Sequence, residues 1–355
     1  MRPNHILIAF GLAAILTGSV FAQQIDTVYL KNSEKFGGEI TEVTKTDVTV
    51  TQKVGNKVEK IPANTIYYIE WKGEPPQLSL ARSNERSGNF ADAVTGYQEA
   101  LAALEGSNPR IKDDIDFMLA RTGAKIAIAD PSQAASAIKN LSDYVASHRD
   151  YYRFFDAQLM LAETALKASD TTTADSAFSA LQQAPWSDYQ LAGKIGSANT
   201  LLARDDINAA KSIFDSVAGT SPKTPAEKSR QLEGKLGQAE CLQRQNNQDE
   251  AAKILDAVVD ESTSDDTRIL AQAYVKMGDG FAAQGQKNKE AILAYLHVDV
   301  IPSLAAHSDL HAEALFRLTK LWSAVGQPTR SADAAAKLES DYPNSPWTKQ
   351  LGAAS

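Results

Sequence analysis

The sequence predicts a mainly α protein, an α-solenoid of about seven helical hairpins preceded by a small five-stranded β-barrel-like module. Three observations lead there. From residue 24 to about 73, apolar residues fall in short runs of β-forming type. After the break Gly73-Glu74-Pro75-Pro76 they recur at three-to-four spacing, and the chain is rich in alanine and leucine to its end. Through that helical stretch, an alanine followed four positions later by a large apolar residue appears seven times.

The strand region comes first. Valine, isoleucine, threonine and tyrosine dominate residues 27–30, 38–43, 47–51, 57–61 and 66–71. Gly55-Asn56 suits the positive φ angles of a tight hairpin. Counting outward pairs Val50 with Ile61 and Gln52 with Glu59, one apolar pair and one wet, as in a half-buried hairpin. Five strands in so short a stretch are expected to curl and hide their edges. The runs Val28-Tyr29-Leu30-Lys31-Asn32, Gly37-Gly38-Glu39-Ile40 and Asp47-Val48-Thr49-Val50 resemble Sm-like or SH3-like barrels in strand spacing. Sm-like proteins bind RNA, but here seven lysines balance seven acids between residues 24 and 73, and the whole chain carries −8. A surface that displaces phosphate counterions needs clustered positive charge, so no nucleic-acid partner is expected.

In the helical region the pairs are Ala93/Tyr97, Ala137/Leu141, Ala174/Phe178, Ala210/Phe214, Ala251/Leu255, Ala291/Tyr295 and Ala334/Leu338. Twelve or thirteen residues before six of them stands another small residue: Ala81, Ala124, Ala162, Ala198, Ala239 and Gly278. Two antiparallel helices approach closely only where side chains are short, and large neighbours then fill the flanks. Turn residues separate the helices at Gly88-Asn89, Asp130-Pro131, Ser169-Asp170, Asp205-Asp206, Asn246-Asn247, Gly285-Gln286 and Gly326-Gln327-Pro328. The expected organisation is a β module over 23–73, a hinge at 74–76 that leaves the modules separable, a solenoid over 77–351 and a tail over 352–355.

The stretch Tyr274, Met277, Gly278, Phe281, Gly285, Ala291, Tyr295 resembles the tetratricopeptide repeat family, as do Leu315, Leu318, Trp322 and Gly326 in the next hairpin. The ending Tyr342-Pro343-Asn344-Ser345-Pro346-Trp347 is similar to that of periplasmic repeat proteins that help assemble or maintain the bacterial envelope. The repeats run longer than the usual length of about 34 residues, and residues 223–232 lengthen one helix, which predicts an irregular superhelix. The resemblance implies a groove that binds a protein or peptide. In such repeats the residue after the small position of each first helix faces the concave side: Arg82, Lys125, Glu163, Asn199, Glu240, Asp279 and Lys320. Three acids lie centrally and bases at both ends, which implies a ligand with positive charge at its centre.

The amino terminus reads as a signal peptide over 1–22: Arg2, an apolar run from Ile6 to Leu16, then Thr17, Gly18, Ser19 and cleavage after Ala22. Export to the periplasm or medium follows. No later stretch approaches the roughly 20 apolar residues of a membrane span. A lipid anchor would need a cysteine at the cleavage site, whereas the one cysteine is Cys241, deep in the chain. It sits in an apolar helical pattern as a buried, inert thiol and excludes a disulfide framework.

Catalytic patterns are thin. His307 and His311 are four apart, but Ser308 stands where a zinc-protease motif has glutamate, and they read as exposed histidines near a helix start. Gly193-Lys194 and Gly234-Lys235 lack the spacing of a phosphate loop and read as helix surface. Asp113-Asp114 and Asp265-Asp266 read as charges near helix starts, complementing the backbone dipole. No cofactor and no metal are expected. The function that follows is an exported, non-enzymatic scaffold or adaptor for a protein or peptide partner; the alternative is an envelope enzyme or carbohydrate-binding protein. Oligomeric state is left open.

Overall fold

The computed structural model describes residues 25–104 and 108–353; the signal-peptide segment lies outside the described residues. Strands β1 (Asp26–Leu30), β2 (Lys35–Val43), β3 (Asp47–Thr51), β4 (Val58–Pro62) and β5 (Ile66–Glu70) form one antiparallel sheet in the order β4-β3-β2-β1-β5. Val28, Ile40, Val48, Val50, Ile61, Ile66 and Ile69 are buried. The sheet does not close into a barrel. Strands β4 and β5 stand at opposite ends of it, joined in sequence by the single 3-10 turn Ala63–Thr65. Closure is replaced by cover at the β5 edge. The Tyr67 carbonyl accepts from Arg153 Nη2 at 2.6 Å and the Ile69 carbonyl from Arg82 Nη2 at 3.1 Å, both donors belonging to the helical region.

The β3–β4 hairpin turns through a longer loop than its Gly-Asn pair predicts. Gly55 (φ 79°) and Asn56 (φ 50°) take the last two places of a loop closed by Gln52 N donating to Lys57 O at 2.9 Å. Val48 therefore faces Ile61, and Val50 faces Glu59. The slip from the expected register is even, so each side chain keeps its face and the apolar side stays inward.

The helices follow as α1 (Gln77–Arg86), α2 (Phe90–Ala102), α3 (Pro109–Ala129), α4 (Ala134–Ser147), α5 (Phe154–Lys167), α6 (Thr171–Leu181), α7 (Ser187–Ala203) and α8 (Ile207–Ala218). Then come α9 (Pro225–Arg244), α10 (Gln248–Glu261), α11 (Thr267–Ala283), α12 (Asn288–Val300), the short α13 (Pro302–Ala305), α14 (Ser308–Ala324), α15 (Pro328–Asp341) and α16 (Pro346–Ala353). Seven hairpins result, each built on one of the small–large pairs, and all fourteen residues of those pairs are buried. Left-handed residues end the first helix in six of them: Gly88, Ser169, Asp205, Asn246, Gly285 and Gly326. Such a residue satisfies the last carbonyls of a helix and turns the chain. At Asp130-Pro131 a 3-10 turn does the same work, with the Asp130 carboxylate accepting from Ser132 N at 3.1 Å.

Gly193 and Gly234 are buried packing positions rather than helix surface. Each belongs to a Gly-x-x-Gly pair that receives an aromatic ring from the preceding hairpin. A Cβ on Gly196 would stand 2.0 Å from Phe178 Cε1, and one on Gly237 2.3 Å from Phe214 Cδ1.

Packing across residues 74–76, where the prolines predict a hinge, is extensive. Val28, Ile40, Ile69 and Trp71 share one apolar cluster with Leu78, Tyr97, Ile115 and Tyr152. Trp71 Nε1 donates to Asp114 at 2.6 Å, Arg110 Nη1 to the Ile40 carbonyl at 2.9 Å, and Asn64 Nδ2 to Asp188 at 3.3 Å. The sheet thus lies across the amino-terminal ends of α3, α5 and α7.

Candidate functional site

The first helices of the hairpins line the inner side of the array, and the array comes back on itself. Helices α3 and α14 touch. Lys167 Nζ, at the end of α5, is ion-paired with Asp309 at the start of α14. Asp309 also takes Arg268 of α11 through both guanidinium nitrogens, at 3.1 and 2.8 Å. Burial alone would raise the Asp309 carboxyl; the Arg268 hydrogen bonds and the Lys167 charge hold it below the ordinary carboxylate range. Glu163 is exposed, yet enclosure by protein raises its carboxyl, against the charges of Arg230, Arg268 and Lys167.

Several of the seven stripe positions are engaged by neighbouring side chains. Glu240 is bound to Lys276 at 2.6 Å and Arg244 at 2.9 Å. Asp279 accepts from Tyr295 Oη at 2.6 Å and faces Arg317 at 3.4 Å. Lys320 Nζ sits 4.3 Å from the Phe316 ring centre, and Asn199 is half-buried on α7. The acids are therefore compensated by neighbouring bases.

Arg82 and Lys125 are the two stripe residues that meet. They line a cavity of about 70 Å³ with Tyr67 and Tyr68 of β5, Glu85 and Arg86 of α1, and Met118 and Arg121 of α3. Helical spacing places them: 82, 85 and 86 share one face of α1, and 118, 121 and 125 one face of α3. Glu85 is the anchor. It accepts from Tyr97 Oη at 2.6 Å, Arg121 Nε at 2.7 Å, Arg121 Nη2 at 2.6 Å and Lys125 Nζ at 2.9 Å. Burial works to raise its carboxyl, but Arg121 above all, with Lys125 and Tyr97, pulls it down to about 2. Arg82 is buried, held by Glu74 at 2.6 and 2.9 Å, and stacked 5.1 Å from the Tyr68 ring centre. Its Nε has no acceptor. Arg86 is exposed and forms no hydrogen bond or ion pair with the described residues. Among the lining residues Arg82, Arg86, Arg121 and Lys125 outnumber the one acid, Glu85, and Glu74 neutralises Arg82 from behind.

Comparison with known proteins bears on the helices. The tetratricopeptide repeat model matches residues 234–262, which span most of the α9–α10 hairpin. The match covers that one hairpin, which is similar to a tetratricopeptide repeat. Among solved structures the chain is similar to a tetratricopeptide repeat protein from Parabacteroides merdae, at 16% identity and TM-score 0.49, over 74% of this chain and 91% of that one. It is also similar to pilF of Pseudomonas aeruginosa, at 12% identity and TM-score 0.37, over 79% and 96% of the two chains. A third is the tetratricopeptide repeat domain of P58(IPK), at 15% identity and TM-score 0.26, over 77% and 74%. All three scores lie below 0.5, and those proteins' functions stay with them. No curated protein matches the chain.

The helical array uses its remaining polar chemistry internally. His311 is buried, not exposed, because it ties three helices: Nε2 meets Asp299 at 2.8 Å and Nδ1 meets Tyr342 Oη at 2.7 Å. His307 turns elsewhere, to Thr267 at 3.0 Å. Asp114 does not act at the start of α3, where Asn108 is the cap. It is a buried hub taking Trp71 Nε1, Tyr151 Oη at 3.1 Å and Tyr152 Oη at 3.0 Å. Burial pushes the Cys241 thiol up to about 11. Among the described residues no three histidine, cysteine or acidic side chains are placed to hold a metal ion, and no helix is long and apolar enough to cross a membrane. Of the lining residues, Arg82 and Lys125 belong to the stripe read from the sequence as a groove, and Tyr67, Tyr68, Glu85, Arg86, Met118 and Arg121 do not. Only the spacing of 82, 85 and 86 could have flagged part of the cavity.

Proposed function

We propose that this protein is an exported, non-enzymatic adaptor of the bacterial envelope that holds a protein partner at the cavity between β5, α1 and α3. The tetratricopeptide fold supports a protein-interaction scaffold role. Export rests on the apolar segment from Ile6 to Leu16 and the small residues leading to Ala22. The observation that carries the site is the exposed Arg86 guanidinium, which lines the cavity beside the buried Arg82 and has no hydrogen-bond or ion-pair partner among the described residues. An acidic group can reach it without displacing an internal partner. With net positive charge and two tyrosine rings at the rim, the partner group is an acidic side chain on an extended segment. This reading keeps Arg82 and Lys125 as contact residues and assigns Glu240 and Asp279 to internal ion pairs.

The test is capture from envelope extract by the full mature protein, followed by mass spectrometry and titration of the captured partner. Arg86→Glu, at an exposed position, should weaken binding at least about tenfold, the effect of about 1.4 kcal/mol. Binding should also weaken as salt rises. A partner that binds Arg86→Glu and wild type equally at low salt would remove the cavity from the interface.

A further inference from the structure

The ring of helices is held by two kinds of interface. Consecutive hairpins meet through apolar surfaces: Phe178 sits against Gly196, Phe214 against Gly237, and Val275 with Leu318 in a cluster that joins α11 to α14. The place where the array meets itself is different. Among the described residues no apolar cluster joins α3 or α5 to α14. The contacts found there are the Lys167–Asp309 ion pair, linking positions 142 residues apart, and the approach of α3 to α14.

We propose that this seam is a latch: a reversible, salt-sensitive closure whose opening separates α5 from α14 and exposes the inner face of the array, while the interfaces between consecutive hairpins stay packed. Lys167 is 46% exposed, so its partner competes with water and with salt. Opening strands no buried charge. Asp309 keeps both Arg268 hydrogen bonds, which come from its neighbouring hairpin, and only the lysine returns to water. The movement is distributed over the hairpins between α5 and α14. In a solenoid each repeat contacts chiefly its neighbours, and small rotations at each interface add up to a large displacement at the ends. What opens is the inner face that carries Glu163 of α5, where the charges of Arg230, Glu233 and Arg268 act on that carboxyl. The inference is independent of the cavity beside β5.

Small-angle X-ray scattering on the full mature chain tests it, comparing wild type with Lys167→Glu, a variant that sets like charges against each other across the seam. A third sample carries Lys167→Cys and Ser308→Cys joined by a short bis-maleimide; Cys241 is buried and does not compete for the reagent. The radius of gyration of the wild type should rise between about 0.05 and about 1 M salt, a range over which the screening length falls severalfold. Lys167→Glu should already be expanded at low salt with an unchanged helical circular dichroism spectrum, and the cross-linked chain should stay compact throughout. Equal radii for wild type and Lys167→Glu at both salts would overturn the latch. So would a loss of helicity in Lys167→Glu, since the seam would then be part of the fold rather than a gate in it.

Discussion

Replacing Glu85 by glutamine removes a charge from the centre of the cavity without changing its shape. The carboxylate is held by Arg121, Lys125 and Tyr97, and its side chain is 2% exposed. Its displacement from 4.5 down to about 2 converts, at about 1.4 kcal/mol per pH unit, to about 3 kcal/mol of stabilisation at neutral pH. Arg121 and Lys125 are 18% and 36% exposed and regain some hydration in the variant, which lowers the expected loss to about 2–3 kcal/mol. The sign follows from the direction of the displacement. A carboxyl lowered in the folded state contributes its full stabilisation above its unfolded value, and loses it as pH falls through that value towards about 2. Glu85→Gln should therefore be less stable than wild type at pH 7, and the gap should narrow between about pH 4.5 and pH 2. Repeat arrays need not unfold in one step, so the assay is amide hydrogen exchange resolved to α1 and α3, corrected for intrinsic rates. Equal protection of those helices in the two proteins at pH 7, or a gap that does not change with pH, would refute the ion-pair account of the cavity.

Two further outcomes follow from packing. Gly196→Ala gains about 1 kcal/mol of helix propensity but sets a methyl against the Phe178 ring, where overpacking costs about 1–3 kcal/mol; the variant should melt at or below wild type, and Gly196→Ala with Phe178→Leu should recover the loss. A stabilised single variant would show that the ring yields freely. A fragment starting at Gln77 should lose protection in α1 and α3, because Ile69 and Trp71 fill the core that those helices share with the sheet; limited proteolysis that cuts at residues 73–78 and leaves a fully protected helical fragment would refute this.

The repeat was legible in the sequence because its determinants are local. A small residue at the crossing of two helices, a large one a turn later and a left-handed residue at the bend each act within one hairpin, as at Ala251/Leu255 and Asn246. Strand positions were equally legible, since a period of two survives an even slip in register. Of the cavity lining, the sequence-derived stripe contains Arg82 and Lys125 alone. What the sequence hides is every pairing between distant elements. His311 and Asp114 are polar residues whose neighbours in sequence look like surface, and their partners come from other helices and from Trp71 at the end of β5. Gly193 and Gly234 resemble surface breaks until the preceding hairpin is laid against them. The sheet stays open because arginines from α1 and from the start of α5 reach its β5 edge. Whether the solenoid leaves an open groove or closes is decided by small rotations summed over many interfaces. No single repeat encodes that sum, so the sequence fixes the hairpin while the tertiary structure alone brings Lys167 to Asp309.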